Sequence, residues 1–349
     1  MSKMKKTNDE FGWLYEVNNE GEANITGIEN KRIEGELIIP SVLDGHLVTS
    51  IGFGCIDGCS LITNVSIPES VNKIDFLPVE GCDRLNEFCV GNNNQNYKSE
   101  NGCLLSKDGR FLLAVPSAVT SITIPSCVEV VCTWAFFDCV SLTNVIIPNG
   151  VIRIEENAFS HCNSLERISF TESMETIDEG AFNDCQNLKR LIIPKRFCGC
   201  RLSSFIDVEI LRQIESIVIS DGVTQIVDDA FSGCCSLTSV VLPNSLLCIG
   251  DGAFRGCSAL QNISLPNRLR YIGNDSFAMC NSLRNIEIPA SVRYIGNDAF
   301  CCCDGLADEN GFVIVGNILY NCVQPEGGVG GELIEMRIPQ GVTKIERSF

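Results

Sequence analysis

The sequence predicts a β-rich repeat solenoid with two short strands and one short helix or helical turn in each repeat of about 23 residues. Three observations support this fold class. A step that is usually Ile-Pro recurs at intervals of 23 residues, an Ala-Phe pair follows most steps (Ser276-Phe277 is the variant), and a Cys lies three residues beyond the Phe of each such pair. So short a repeat cannot enclose a core of its own, and its apolar side must pack against neighbouring repeats. We therefore expect one curved, elongated body.

The recurring residues define columns along the chain, and only the interval from Pro194 to Ser220 is longer than the period. The step occupies Pro125, Pro148, Thr171, Pro194, Ser220, Pro243, Pro266 and Pro289. Aliphatic residues lie three positions further on (Val128, Val151, Met174, Val223, Leu246, Leu269, Val292) and six positions further on (Val131, Ile154, Ile177, Ile226, Ile249, Ile272, Ile295). The Cys column comprises Cys59, Cys82, Cys139, Cys162, Cys185, Cys234, Cys257, Cys280 and Cys303.

Each repeat reads in order as strand, turn, strand and helical turn. A segment such as Leu142-x-x-Val145-x-Ile147-Pro148 has the branched residues of a strand that ends at proline, and we call it the first strand of the repeat. A turn and a second short strand follow. Acidic residues such as Asp228-Asp229 then precede Ala-Phe, where we expect them to cap a short helix. A column of acids leaves a cation site open as the alternative.

The repeats predict an amino-terminal β cap over residues 1–39 and a solenoid over residues 40–349. Hairpin insertions are expected near 92–118 and 312–335, where turn residues interrupt the template. The last repeat opens at Val342-x-x-Ile345 and is incomplete at Phe349. Either the chain is truncated or this uncapped end packs against something, which makes self-association through it a further expectation.

The net charge of −18 argues against nucleic acid as a partner, since phosphate contacts need clustered Lys and Arg. It also argues against adsorption to anionic lipid. The polar amino terminus has no apolar signal region, and no run of about 18 apolar residues could span a membrane. From these features we expect a cytoplasmic protein, or one from which an export signal has been removed.

Nine of the 21 cysteines lie on the Cys column, where a small apolar side chain beside Phe and Leu fills a core position. Stacked coils bring equivalent atoms within about 4.8 Å, so distance alone does not exclude disulfides. Parallel side chains in register, however, do not give the dihedral angle of about 90° that a disulfide needs. We expect reduced, buried thiols.

Nothing in the sequence predicts an enzyme, a cofactor or a metal site. The two histidines, His46 and His161, fall in different repeats and are expected to be solvated. No Cys-x-x-Cys pair, phosphate-binding glycine loop or Gly-x-Ser-x-Gly elbow occurs.

One stretch shows the whole template: Ile249-Gly250-Asp251-Gly252-Ala253-Phe254-x-x-Cys257-x-x-Leu260-x-x-Ile263-x-Leu265-Pro266. It resembles the BspA-like, bacterial surface-antigen type of leucine-rich repeat, known from oral and gut anaerobes and some parasitic protists. The resemblance extends from about Trp13 to Phe349. It implies a curved β-rich solenoid that binds a partner at the cell surface or after secretion, and it carries no catalytic residues to transfer.

Two sets of residues are candidates for partner binding. On the first strand, the residue between the two buried aliphatics points away from the core, and its neighbour two positions earlier does the same. Branched residues there are consistent with a binding face, but also with β-propensity alone. The candidates on this face are Ile146, Arg167, Arg190, Ile192, Val218, Val241 and Glu287.

The second set lies on the second strand, where Arg270-Tyr271 and Arg293-Tyr294 occupy equivalent positions in adjacent repeats. Tyr and Arg are over-represented at binding hot spots, although such a ladder can also be mere self-stacking. The sequence thus favours a non-catalytic interaction scaffold, adhesin-like or ligand-binding, for a protein or glycan. The alternative is a structural module of a longer repeat array or a self-associating assembly.

Overall fold

The computed structural model describes residues 4–7, 9–75, 79–195, 206, 208–322 and 340–345. The chain divides into two compact units, described here one by one. The amino-terminal unit comprises Met1–Leu188 with Phe205–Asp207, and the carboxy-terminal unit comprises Lys189–Ser204 with Val208–Phe349.

The strands of the amino-terminal unit are β1 (Lys5–Lys6), β2 (Trp13–Val17), β3 (Ala23–Ile28), β4 (Gly35–Ile38), β5 (Val42–Leu43), β6 (His46–Ile51), β7 (Ile62–Ile67), β8 (Lys73–Ile74), β9 (Glu87–Val90), β10 (Tyr97–Glu100), β11 (Cys103–Ser106), β12 (Phe111–Ala114), β13 (Ser121–Thr123), β14 (Val130–Val131), β15 (Asn144–Ile146), β16 (Arg153–Ile154), β17 (Arg167–Ser169) and β18 (Thr176–Ile177).

The carboxy-terminal unit contains β19 (Arg190–Ile193), helix α1 (Val208–Gln213), β20 (Ser216–Ile219), β21 (Gln225–Ile226), β22 (Ser239–Val241), β23 (Cys248–Ile249), β24 (Tyr271–Ile272), β25 (Tyr294–Ile295), a 3-10 turn (Asp304–Leu306), β26 (Phe312–Val315), β27 (Ile318–Cys322) and β28 (Lys344–Ile345).

Parallel pairing in register joins successive repeats of the amino-terminal unit. First strands form the ladders β4-β7-β9 and β13-β15-β17, and second strands form β12-β14-β16-β18. Each residue pairs with the residue one period later, as in Val130↔Arg153 and Arg153↔Thr176. Two antiparallel hairpins pair in parallel with second strands: β3 of the β2-β3 hairpin pairs with β6, which pairs with β8, and β12 of the β11-β12 hairpin pairs with β14.

The carboxy-terminal unit repeats this plan with first strands β19-β20-β22 and second strands β21-β23-β24-β25. The hairpin β26-β27 is joined to the stack in the same manner, since β27 pairs in parallel with β28. After β22 the first strands shrink to a single bridge, Asn262↔Asn285. Asn, Ser and Glu at the outward positions there have low β-propensity, so these repeats do not keep the first of the two predicted strands.

The core follows the predicted columns and confirms the predicted fold class, a β-solenoid of stacked parallel turns with almost no helix. In the carboxy-terminal unit, Phe231, Phe254, Phe277 and Phe300 are buried and stack with ring centroids 5.2–5.4 Å apart. The Tyr320 ring of β27 meets the Phe300 ring edge-on at 5.4 Å and covers the end of this ladder. Phe136, Phe159 and Phe182 form the same ladder in the amino-terminal unit.

The Ala-Phe segments are consecutive turns and not capped helices, which corrects the expectation of capping acids. The residue before each Ala-Phe or Ser-Phe pair has a positive φ, a conformation that Gly, Asn and Asp adopt at least cost. These residues are Trp134, Asn157, Gly180, Asp229, Gly252, Asp275 and Asp298.

The Asp and Asn side chains one position before these positive-φ residues instead accept hydrogen bonds from the backbone of the following repeat. The carboxylate of Asp228 accepts the Asp251 N–H at 2.8 Å, and that of Asp251 accepts the Asn274 N–H at 2.7 Å. The side-chain oxygen of Asn274 accepts the Asn297 N–H at 2.9 Å. The column therefore satisfies backbone donors between coils.

Candidate binding surfaces

Three candidate residues of the first-strand face lie side by side in the carboxy-terminal unit. Ile192 pairs with Val218, and Val218 pairs with Val241, on the consecutive strands β19, β20 and β22. The side chains of Ile192 and Val241 are 41% and 52% exposed, and Val218 is half-buried. Strand geometry produces this arrangement, because the flanking residues on β19 and β20 point into the core. We call Ile192, Val218 and Val241 the strand-face patch.

Polar side chains flank the strand-face patch on the same strands. Arg190, predicted as part of this face, is exposed and pairs in register with Ser216, which pairs with Ser239. The patch is thus an apolar row beside a polar row, as at the edge of many protein-binding surfaces.

The candidate Glu287 lies away from this arrangement. It is exposed, but its segment forms no strand, and the paired first strands end at β22. The structure therefore does not bring Glu287 into line with the paired strands that hold the strand-face patch.

In the amino-terminal unit, Ile146 is exposed on β15 and pairs with Thr123. Arg167 on β17 is exposed, and its Nε donates to the Asn144 Oδ1 at 3.1 Å. These two candidates therefore lie on one ladder, with Ile146 on the same strand as the partner of Arg167.

Sequence reasoning missed a further member of the outward column, Ile38, which is 60% exposed. Ile38 pairs with Ser66, and Ser66 pairs with Cys89. They line a cleft of about 270 Å³ with Ile67 and Asn92. The alternation of apolar and polar residues along β4 could have identified Ile38 as an outward residue. The first repeats, however, lack the Ala-Phe pair by which the columns were aligned.

The second candidate set forms a ladder. Tyr271 and Tyr294 pair in register on β24 and β25, and their rings stack with centroids 4.8 Å apart and planes 8° from parallel. Partial burial raises the pKa of Tyr271, with a further contribution from Asp251. Arg270 and Arg293, beside the tyrosines, are both exposed.

A cleft of about 300 Å³ opens beside this ladder. Both ladder arginines line it, together with residues of the turns that follow Pro266 and Pro289, which the sequence did not single out. The lining residues are Asn267, Arg268, Arg270, Ala290, Ser291 and Arg293, and we call this space the arginine cleft.

The thiols of the Cys column are buried in the core. Five of the column thiols donate a hydrogen bond to the carbonyl of the Phe one repeat back, as in Cys162 to Phe136 (3.2 Å) and Cys303 to Phe277 (3.0 Å). Burial raises the pKa of Cys82 and of Cys234 to about 12, so these thiols are protonated at neutral pH. Every cysteine whose side chain the structure describes is a free thiol.

Within the described ranges, no three His, Cys, Asp or Glu side chains converge as a metal site. No helix in this part of the chain combines the length and apolar character needed to cross a bilayer.

Comparison with known proteins identifies the repeat. The chain matches the BspA type leucine-rich repeat region in six copies, over residues 22–102, 115–214 and 209–322. A search of curated proteins finds no significant match.

Among crystal structures, a leucine-rich repeat protein from Eubacterium ventriosum is 19% identical, with a TM-score of 0.46 over 84% of this chain and 98% of that one. A leucine-rich cell surface protein from Faecalibacterium prausnitzii is 24% identical, with a TM-score of 0.41 over 87% of each chain.

Stacked parallel coils with buried Phe and Leu at equivalent positions in each repeat define a leucine-rich-repeat protein. Since the matched regions span most of the sequence, the chain belongs to the BspA type of leucine-rich repeat proteins.

Proposed function

We propose that this protein is a non-catalytic interaction scaffold that captures a protein partner on the strand-face patch, as a surface-displayed or secreted, adhesin-like binder. The observation that carries the proposal is an apolar row on three consecutive hydrogen-bonded strands, in which Ile192 and Val241 are exposed and Val218 between them is half-buried. A rigid ladder holds these side chains in place before binding, so little conformational entropy is lost when a partner covers them.

The chemistry of the core is consistent with a role without catalysis. The column thiols are buried, and Cys82 and Cys234, whose pKa burial raises to about 12, are protonated at neutral pH. A thiol reacts as a nucleophile only as thiolate.

The test substitutes Val218→Asp and Val241→Asp together and measures binding to an array of purified matrix and cell-surface proteins by surface plasmon resonance. Two carboxylates in the patch should weaken binding of a captured protein by at least about tenfold, because the interface would bury unpaired charges. The unfolding free energy should fall by no more than about 2 kcal/mol, because the two aspartates face each other on paired strands and Asp has low β-propensity, and the variant should remain folded.

The matched control is Thr224→Asp with Gln225→Asp, which adds the same charge at exposed positions on or beside β21 in the same unit. Equal weakening by both double variants, or a large loss of stability in the patch variant, would contradict the proposal. Light scattering on the same samples identifies self-association, the alternative to capture of another protein.

A further inference from the structure

We infer that the arginine cleft binds an acidic sugar, a carboxylate- or sulfate-bearing residue of a glycan. The cleft uses none of the strand-face residues, so this inference is independent of the proposed protein-binding role.

The first argument is charge. Arg268, Arg270 and Arg293 line one cleft, and no carboxylate of the described residues lines it, although the chain as a whole has a net charge of −18. Some exposed arginines elsewhere are paired with carboxylates, as in Arg110–Glu129 (2.5 Å) and Arg153–Asp178 (2.6 Å). In the described part of the chain, the three cleft arginines form no ion pair or side-chain hydrogen bond.

The second argument is register. Arg270 and Arg293 precede the paired residues Tyr271 and Tyr294, so they lie one coil apart in the same column. Coils in a sheet are about 4.8 Å apart, and like charges opposite each other repel. An anion between the two guanidinium groups would relieve that repulsion and accept hydrogen bonds from both.

The third argument is the polarity and size of the cleft. Besides the arginines it presents the Asn267 amide, the Ser291 hydroxyl and Ala290, so no large apolar side chain offers the anchor that peptide binding usually needs. Amide and hydroxyl groups both donate and accept hydrogen bonds, which suits sugar hydroxyls. A volume of about 300 Å³ is at the small end of ligand sites, about the scale of one sugar ring.

The test measures binding of fluorescent α-1,4-linked galacturonate trimer by polarisation, with its methyl ester as the neutral match. A sulfated trisaccharide and a tri-glutamate peptide provide the other arms. The galacturonate trimer, the sulfated trisaccharide or both should bind. The methyl ester should bind at least about tenfold more weakly than the galacturonate trimer, and the affinity of the bound sugar should fall with added salt.

The double variant Arg270→Gln/Arg293→Gln should lose at least about tenfold in affinity for the sugar that binds. The control Arg255→Gln/Arg284→Gln removes the same charge from exposed positions of the same unit, outside the cleft, and should bind normally. Unfolding midpoints of both variants verify that they fold.

Binding of uronate or of sulfate that requires the cleft supports the inference and tells which anion is preferred. Equal binding of the ester, equal loss in the control variant, binding of the peptide alone, or no binding of either sugar at millimolar concentration would overturn it. The Val218→Asp/Val241→Asp variant should bind the sugar normally, which separates this result from the test of the strand-face patch.

Discussion

At the scale of single residues, the Cys column shows why a thiol recurs beside Phe. The side chain is small and apolar enough for the core, and its S–H reaches a turn carbonyl of the preceding repeat. Ala would leave that carbonyl without this donor. Ser would place a more polar hydroxyl in the same apolar position.

Alkaline pH should destabilise the protein through these buried thiols. An unfolded thiol releases its proton near pH 8.5, whereas the pKa of Cys234 is about 12 in the folded state. The unfolded state therefore binds fewer protons above about pH 8.5, and stability falls from there to about pH 12, by at most about 1.4 kcal/mol per pH unit per thiol.

Urea unfolding of Cys234→Ala between pH 8 and 11 should thus show a shallower loss than the unaltered chain. Its neighbour Cys235 is exposed, so Cys235→Ala is the matched control and should keep the original slope. Identical slopes for all three proteins would rule out this linkage.

The Phe ladder should be the most sensitive apolar column. Phe254 is fully buried between Phe231 and Phe277, so Phe254→Ala should cost about 3–5 kcal/mol in urea unfolding. Phe111→Ala, at a more exposed ring, should cost far less. A similar small cost at both positions would contradict the stacked core.

At the scale of repeat elements, glycine after the second strand lets coils approach closely. A Cβ at Gly273 would lie 2.6 Å from the Asp251 backbone N. Gly273→Ala should therefore destabilise by about 1–3 kcal/mol, as overpacking does. Gly27→Ala, where a Cβ would meet only the Leu14 side chain at 3.4 Å, should be nearly neutral by thermal unfolding. A neutral Gly273→Ala would mean that the coils can separate at little cost.

The columns of Phe, Cys and aliphatic residues could be predicted because a fixed period leaves one way to stack them. The turns could not, because Asn or Asp before Ala-Phe suits a helix cap and a residue of positive φ equally well. Helix α1 was also missed: its repeat has no Ala-Phe pair, and Leu211 takes the place of Cys.

One candidate surface could be predicted from the sequence, and the other could be predicted only in part. Strand alternation was enough to identify Ile192, Val218 and Val241 as outward residues. Arg268 and Ser291 lie in turns, where periodicity does not set the direction of a side chain. Only the stacking of two such turns brings them into one cleft.

At the scale of the whole molecule, the charge of −18 should make stability depend on salt. Raising ionic strength from about 10 to about 150 mM shortens the Debye length from about 30 to about 8 Å and screens self-repulsion, so Tm at pH 7 should rise by a few degrees. Near the pI of about 4.5 the same step should have little effect, as differential scanning calorimetry can check. A fall in Tm at pH 7 would mean that exposed ion pairs outweigh the repulsion.

The constant register between paired coils also bears on how such genes change. Within the carboxy-terminal unit, Cys248 pairs with Tyr271 and Tyr271 with Tyr294, each one period apart. Loss or duplication of one period of codons there would join equivalent positions. Each residue would still stack on a residue of the same column in the next coil. Unequal recombination can therefore lengthen or shorten this molecule in whole steps, and an arginine row such as that of Arg270 and Arg293 would gain or lose charges with each event.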